Sequence, residues 1–284
     1  MPSIDLHVHS TASDGLDTPS ELISSAAAIG LRIVALVDHD TLSGIPEARD
    51  SAASHDIELI PGTELSVEHG ERKMHLLVYF LEPGPGPLQD RLHGLRNGRD
   101  LRNRAMVEKL RGLGYGITMG DVLAHAHGQS VGRPHIADAL AANGLVPDRD
   151  TAFDDLLADG GPAYVERERL TAIDAIALAR ASGAVPVIAH PLTTGSRVPL
   201  RSSDWAELLR DLTDAGLGGI EAYYPQHNQR ERDRFAEIAR ALGIAATGGS
   251  DYHGEGARRN RLGVGFGDLN VPLSAVDELI AQRR

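Results

Sequence analysis

The sequence predicts an α/β protein, a barrel of parallel β/α units interrupted by a helical insertion. Three observations predict it. Short apolar stretches alternate with amphipathic helical ones over most of the chain, histidines and carboxylates recur where the apolar stretches end, and one segment, from about Pro83 to Ala163, breaks the rhythm.

The first strand is expected at 4–9, where period-two alternation sends Ile4, Leu6 and Val8 one way and Asp5, His7 and His9 the other. Thr18-Pro19-Ser20-Glu21 then supplies an N-cap, a proline at the first helical position and a glutamate to close a capping box, and Gly30 is a natural helix stop. LRIVALVDHD, IELIPGTE and MHLLVYFL each read as a strand running into a loop. EPGPGPLQ is a turn-rich lead-in to LRNRAMVEKLRGLG, GDVLAHAHG, GRPHIADALAANG and FDDLLADGG, which read as short helices with no strand among them. GAVPVIAHP, GLGGIEAYY and GIAATGGSD restore the alternation. The expected organisation is therefore a barrel in two parts, 1–82 and 166–284, separated by a helical insertion at 83–165 that caps the substrate.

Composition narrows the chemistry. None of the 284 residues is cysteine, which excludes disulfides, thiolate zinc sites, iron–sulfur clusters and cysteine nucleophiles. Any metal must be held by nitrogen and oxygen. With 28 basic and 40 acidic residues the net charge is −12, so an extended nucleic-acid surface is not expected and a small anionic substrate would need a local cluster of cations. MPSIDLHVHS has neither the basic nor the apolar region of a signal peptide, and no apolar run is long enough to span a membrane, so a cytoplasmic protein is expected.

The chemistry-bearing residues gather at strand ends. His7 and His9 share one face of the first strand. His39 ends RIVALVDH, Glu64 closes ELIPGTE, His75 lies in KMHLLVYF, His190 ends AVPVIAH, and Asp251 and His253 follow IAATGGS. An isolated HxH fits two structural histidines as well as a chelating pair. Recurrence at nearly every strand end is what points to a metal centre, because barrel strands deliver those ends to one common face. Imidazole and carboxylate donors suit manganese, iron or zinc better than magnesium. His125 and His127 form a second HxH, but in a helix positions i and i+2 diverge and cannot chelate one ion. His55, His69 and His93 read as solvated. Glu221 and His227, in and after GIEAYYPQH, fall on the right face for support or substrate contact, and ARRNR at 257–261 is a basic loop that could face an anion. A carbamylated-lysine centre is disfavoured, since the only lysines are Lys73 and Lys109.

The motifs DLHVHSTASDG with Asp14, VDHD with His39, PGTE with Glu64, then His75, AHP with His190, and GSDYH with Asp251 and His253 resemble those of the PHP (polymerase and histidinol phosphatase) superfamily. The resemblance spans residues 4 to 253 and implies a distorted (β/α)7 barrel of the PHP type with two or three divalent metal ions, a trinuclear site when full. It implies one ion on His7, His9, Glu64 and Asp251, a second on Glu64, His75 and His190, and a third on Asp14, His39 and His253. Manganese is the expected ion, with iron or zinc as alternatives. Within the insertion, GRPHIADAL resembles the subgroup that dephosphorylates AMP or 3′,5′-nucleoside bisphosphates, which implies that Arg133 and His135 contact the substrate phosphate and take part in catalysis.

The function implied is hydrolysis of a phosphomonoester of a small nucleotide by a metal-activated hydroxide, with no covalent phospho-enzyme. Three other outcomes are distinguishable. A histidinol phosphatase would need acidic rather than arginine-rich walls, a 5′–3′ exonuclease would act on short RNA or DNA ends, and a non-catalytic metal-stabilised module would lack turnover.

Overall fold

The computed structural model describes residues 3–126, 131–167, 169–192, 202–256 and 259–283. Its elements run β1 (Ile4–Val8), α1 (Pro19–Ala28), β2 (Ile33–Leu36), α2 (Ile45–His55), β3 (Glu58–His69), β4 (Arg72–Tyr79), α3 (Pro87–Gly112), α4 (Met119–His125), α5 (Arg133–Ala142) and α6 (Arg149–Ala152), followed by a π-helical turn (Phe153–Leu157). They continue with β5 (Leu170–Thr171), α7 (Ala172–Ala181), β6 (Val185–Ile188), α8 (Ser202–Asp214), β7 (Gly219–Tyr223), α9 (Gln229–Leu242), β8 (Ala245–Gly248) and α10 (Ser274–Ala281). The helix signals act as their chemistry requires: the Thr18 side chain accepts from Glu21 N while Glu21 reaches back to the Thr18 backbone, and Asn228 and Glu231 repeat the arrangement at α9.

The strands hydrogen-bond in the order β1-β2-β3-β4-β6-β7-β8, with β5 added to the far end of β3. β1, β2 and β3 are mutually parallel, as are β6, β7 and β8. The uniformly parallel pattern expected from the sequence fails at β4, which is antiparallel to both β3 and β6. The reason is the length of the connection. Only Gly70 and Glu71 separate β3 from β4, too few residues for a parallel crossover, and Gly70 takes the left-handed φ of 58° that a tight reversal needs.

The sheet curls until its first and last strands meet. Asp251 N donates to His7 O at 2.8 Å and His9 N to Tyr252 O at 2.9 Å. TGGS makes this approach possible: a Cβ added to Gly249 would lie 2.3 Å from His7 N. The result is the distorted PHP-type barrel. The β1–β2 register shifts between Asp5 and Val8, so strict alternation does not hold along β1. Ile4 and Leu6 pack with Leu77, Val187 and Leu279, whereas Val8 packs with Leu22, Ile23 and Leu36 under α1 and α2.

The insertion departs from the short helices expected, because α3 is one helix of 26 residues. Gly94 and Gly98 lie inside it, each disfavoured by roughly 1 kcal/mol relative to alanine. Packing at both ends offsets that cost. Leu88, Leu92 and Leu95 join the apolar cluster that covers β3, β4, β6 and α7, while Met106, Val107 and Leu110 join a separate cluster with Val122, Ile136, Leu140 and Leu157. α4 ends at His125, and His127 lies outside the described residues. No helix among the described residues is long and apolar enough to cross a membrane.

Candidate metal centre

All nine sequence-predicted ligands converge on one mouth of the barrel. Their ligand atoms form three overlapping groups, each with every member within 4.8 Å of the others: His7, His9, Glu64 and Asp251; Glu64, His75 and His190; and His9, Asp14, His39 and His253. The third group includes His9, which the sequence had placed with the first alone. Parallel strands deliver His9, His39, His190 and Asp251 just beyond their C-terminal ends, and His75 enters from the antiparallel β4 opposite Ser66. Of the five described non-glycine residues with positive φ, three stand at this mouth: Asp40 (54°), His190 (24°) and Asp251 (53°). Such backbone persists only where its surroundings over-determine it.

Glu64 is the hub. Its Oε2 lies 3.4, 3.2 and 3.3 Å from His7 Nε2, His9 Nε2 and His39 Nδ1, and its Oε1 lies 2.7 and 3.0 Å from His75 Nδ1 and His190 Nε2. Burial favours the neutral acid, yet His39, His75 and His7 around it hold Glu64 well below the usual carboxylate range. Asp14 is likewise held low against its burial, by His253 and His39. The imidazoles answer in kind. Burial pulls His7 down, but Glu221, Glu64 and Asp251 raise it well above its ordinary value, and Asp251 and Glu64 raise His9 to about 9. For His39 burial wins and pushes the ring down to about 3.

The donor set fits divalent cations. His7 directs Nδ1 to Glu221 Oε1 at 2.9 Å and turns Nε2 to His9 Nε2 at 3.1 Å. The surrounding acids favour protons on both rings, and a cation that displaced those protons would meet two nitrogen lone pairs. Asp251 Oδ1 completes the group at 3.5 and 3.4 Å from the same two nitrogens. Separations of 3.1–3.5 Å are the edges of a coordination polyhedron with bonds of roughly 2.0–2.2 Å.

Several supporting residues were invisible or only half visible in the sequence. Glu221 is fully buried; besides the His7 ring it accepts the backbone N–H of His190 at 2.7 Å, so it orients one ring, pins the backbone that carries another, and does not face substrate. Tyr224 OH donates to Asp251 Oδ2 at 2.9 Å. Asn260 Nδ2 donates to Ser250 O at 2.7 Å, pinning the loop that carries Asp251. Asp5 accepts Ser250 N, Ser250 Oγ and Gly263 N, which fixes the same loop from below. The ring of His227 is directed to Ala222 O and packs against Tyr224 and Phe235, away from the ligands. Of ARRNR, 257 and 258 lie outside the described residues, and Arg259 and Arg261 are exposed. His55 and His93 are exposed as expected.

Over this centre lies a cavity of about 520 Å³ whose floor includes Asp14, His39, His75 and His190. Its walls carry six cations among the described residues: Lys73, Arg99, Arg102, Arg133, Arg167 and Arg169. Asp40 Oδ2 holds Arg99 at 2.6 Å and Arg167 at 3.3 Å. Arg102 has a weaker partner, the neutral Asn103 Oδ1, at 2.7 and 3.1 Å. Burial, then Arg99 and Arg167, push Arg102 down to about 8, the mark of a site short of negative charge. Arg133 lines the cavity. His135 does not: it is buried, and its Nδ1 accepts from Gly132 N at 2.9 Å, closing the first turn of α5.

Known proteins fit this geometry. A model of the PHP domain matches residues 5–90. A 3′,5′-nucleoside bisphosphate phosphatase from Chromobacterium violaceum is 35% identical over 91% of this chain and 90% of its own. A 5′-3′ exoribonuclease from Haemophilus influenzae is 32% identical over 97% of this chain and 96% of its own. A solved structure from Bifidobacterium adolescentis, described as a metal-dependent phosphoesterase, superposes with a TM-score of 0.88 at 30% identity over 100% of this chain and 98% of its own. In class, the protein is a metal-dependent phosphoesterase. The chain belongs to the PHP family.

Proposed function

We propose that the protein hydrolyses a phosphomonoester of a small nucleotide, AMP or a 3′,5′-nucleoside bisphosphate. The observation that carries this reading is the wall of six cations facing three groups of metal-type donors across one bounded cavity. About 520 Å³ lies within the range of pockets that enclose a small ligand. Histidinol phosphate would bring its cationic end against arginines, so the wall disfavours it. The exoribonuclease relative supports a second reading in which the nucleotide is the end of a short RNA.

The nine ligands are proposed to hold two or three ions, manganese first, iron or zinc otherwise, given their nitrogen and oxygen donors. Bound there, such ions supply Lewis acidity and lower the pKa of water from 15.7 toward ~7. The protein's own part is positioning. Arg133 grips phosphoryl oxygens with a planar fork that matches them. The arginine wall holds the rest of the nucleotide and offsets charge that grows on the phosphoryl group. His135, expected from the resemblance to touch the phosphate, instead caps the first turn of α5 through Nδ1 and does not line the cavity, so the proton for the leaving ribose oxygen is proposed to come from water.

Assaying AMP, a 3′,5′-bisphosphate, histidinol phosphate and a 5′-phosphorylated oligonucleotide side by side tests the reading. We expect kcat/KM at least about tenfold higher for one of the mononucleotides, a margin of about 1.4 kcal/mol. A preference for histidinol phosphate or the oligonucleotide would overturn it. Arg133→Ala is expected to raise KM by roughly 10- to 100-fold, as loss of a charge-assisted contact of about 1.5–3 kcal/mol requires; unchanged KM on every phosphoester would remove Arg133 from the site. Glu221→Ala is expected to weaken metal affinity by roughly 10- to 100-fold, because it frees the ring of His7 and the backbone of His190, and titration of the metal-stripped protein reads this directly.

A further inference from the structure

Asp159 is out of character with its surroundings. It lines a cavity otherwise walled by cations, where a carboxylate repels the anion the site is proposed to take. Its contacts give it a purpose. Asp159 Oδ2 lies 2.7 Å from Lys73 Nζ, and Asp159 Oδ1 accepts from Arg133 Nη1 at 2.9 Å. Lys73 belongs to β4, two residues before the ligand His75, while Arg133 opens α5 in the insertion. One carboxylate therefore links a barrel strand of the metal centre to the phosphate-contacting arginine.

The donor inventory shows which group remains for substrate. Lys73 Nζ has three partners, Asp159 Oδ2, Tyr164 OH at 2.7 Å and Glu166 Oε2 at 3.1 Å, which exhausts an ammonium's three protons. Arg133 differs. Nη1 is taken by Asp159 and by Leu157 O at 3.2 Å, and Phe153 and Tyr164 place their rings 5.9 and 5.7 Å from the guanidinium carbon. Its Nε and Nη2 have no protein partner among the described residues, although Arg133 lines the cavity. Those two atoms form the edge of a guanidinium that accepts a phosphate in bidentate fashion.

We propose that Asp159, anchored by Lys73, is a positioning residue: it fixes one edge of Arg133 so that the Nε–Nη2 edge is presented to the substrate phosphate. The inference rests on the phosphomonoesterase reading of the same site and names what aims its arginine. A guanidinium free to swing would have to be ordered on each binding event, and Asp159 makes that ordering part of folding.

The test combines Asp159→Ala, Asp159→Asn and Lys73→Met with Arg133→Ala in a double-mutant cycle, read by KM and kcat on AMP or a 3′,5′-bisphosphate and by calorimetric binding of inorganic phosphate to the protein as purified. Thermal melts confirm that each variant is folded. Asp159→Ala and Asp159→Asn are expected to raise KM and the phosphate Kd about tenfold, with kcat falling less than KM rises, and Lys73→Met is expected to give a smaller shift in the same direction. In the Arg133→Ala background the Asp159 substitution should add nothing. Phosphate binding that is unchanged or tighter in a folded Asp159 variant would show that the carboxylate only repels anions, and fully additive losses would show that it does not act through Arg133. Either result overturns the proposal. Should wild type turn over no phosphomonoester while Asp159→Ala still weakens phosphate binding through Arg133, the functional reading fails and the positioning role stands.

Discussion

Glu64→Gln is expected to lower kcat/KM on the proposed nucleotide substrate by at least ~1,000-fold, equivalent to about 4 kcal/mol of lost transition-state stabilisation. The substitution keeps the shape of the side chain but removes its charge and turns one acceptor oxygen into a donor NH₂. Both oxygens matter, because Oε2 sits among His7, His9 and His39 while Oε1 faces His75 and His190. Two of the three donor groups share this one residue, so metal content should fall by more than a single ion. Elemental analysis beside steady-state kinetics checks both halves. Activity within tenfold of wild type at full metal content would exclude Glu64 as the hub.

The second large effect is on stability and comes from Asp40, which touches none of the nine ligands' ring or carboxylate atoms in the contacts described above. Its Oδ2 alone holds Arg99 from α3 and Arg167 from the returning chain, and all three residues are buried. Asp40→Asn leaves two guanidiniums without a counter-charge, at a cost of about 3–5 kcal/mol. Thermal unfolding should move down by roughly 10 °C. Burial would raise the Asp40 carboxyl, but Arg99 and then Arg167 hold it at about 2 against an ordinary 3.8. A carboxyl depressed in the folded state contributes stability that is fully present above the unfolded value and is lost as pH falls through the folded one. The wild-type advantage over Asp40→Asn should therefore narrow between about pH 4 and pH 2, by roughly 2 kcal/mol. A gap in denaturant midpoint that stays constant across that window would rule out the pairing as its source.

How much of this was legible beforehand differs from residue to residue. His9, His39, His190 and Asp251 stand out because a strand's end is visible as the point where an apolar run stops, and barrel topology converts that position into a place at the mouth; Glu64, expected at the close of a strand, lies inside the 12-residue β3, and His7 lies inside β1. Asp40 sits in plain view in VDHD, yet its partners are 59 and 127 residues away and nothing in local pattern selects them. The same holds for Tyr224 with Asp251, which meet once β7 pairs with β8, and for Lys73 with Asp159, which meet once the insertion has docked on the barrel. Gly94 and Gly98 argue locally against a continuous helix, and long-range packing overrides them in α3.

The sequence by itself determined the donor chemistry and the strand ends that carry it, because residue type and hydrophobic period are local properties that survive any rearrangement of distant segments; the class of reaction came with the resemblance to the PHP superfamily. Only the tertiary structure decided that His9 borders two donor groups, that β4 runs against its neighbours, and that the Asp159 carboxylate links Lys73 of the barrel to Arg133. Those are distances between atoms far apart along the chain. They are set by how the whole core closes, a quantity no local stretch of residues contains.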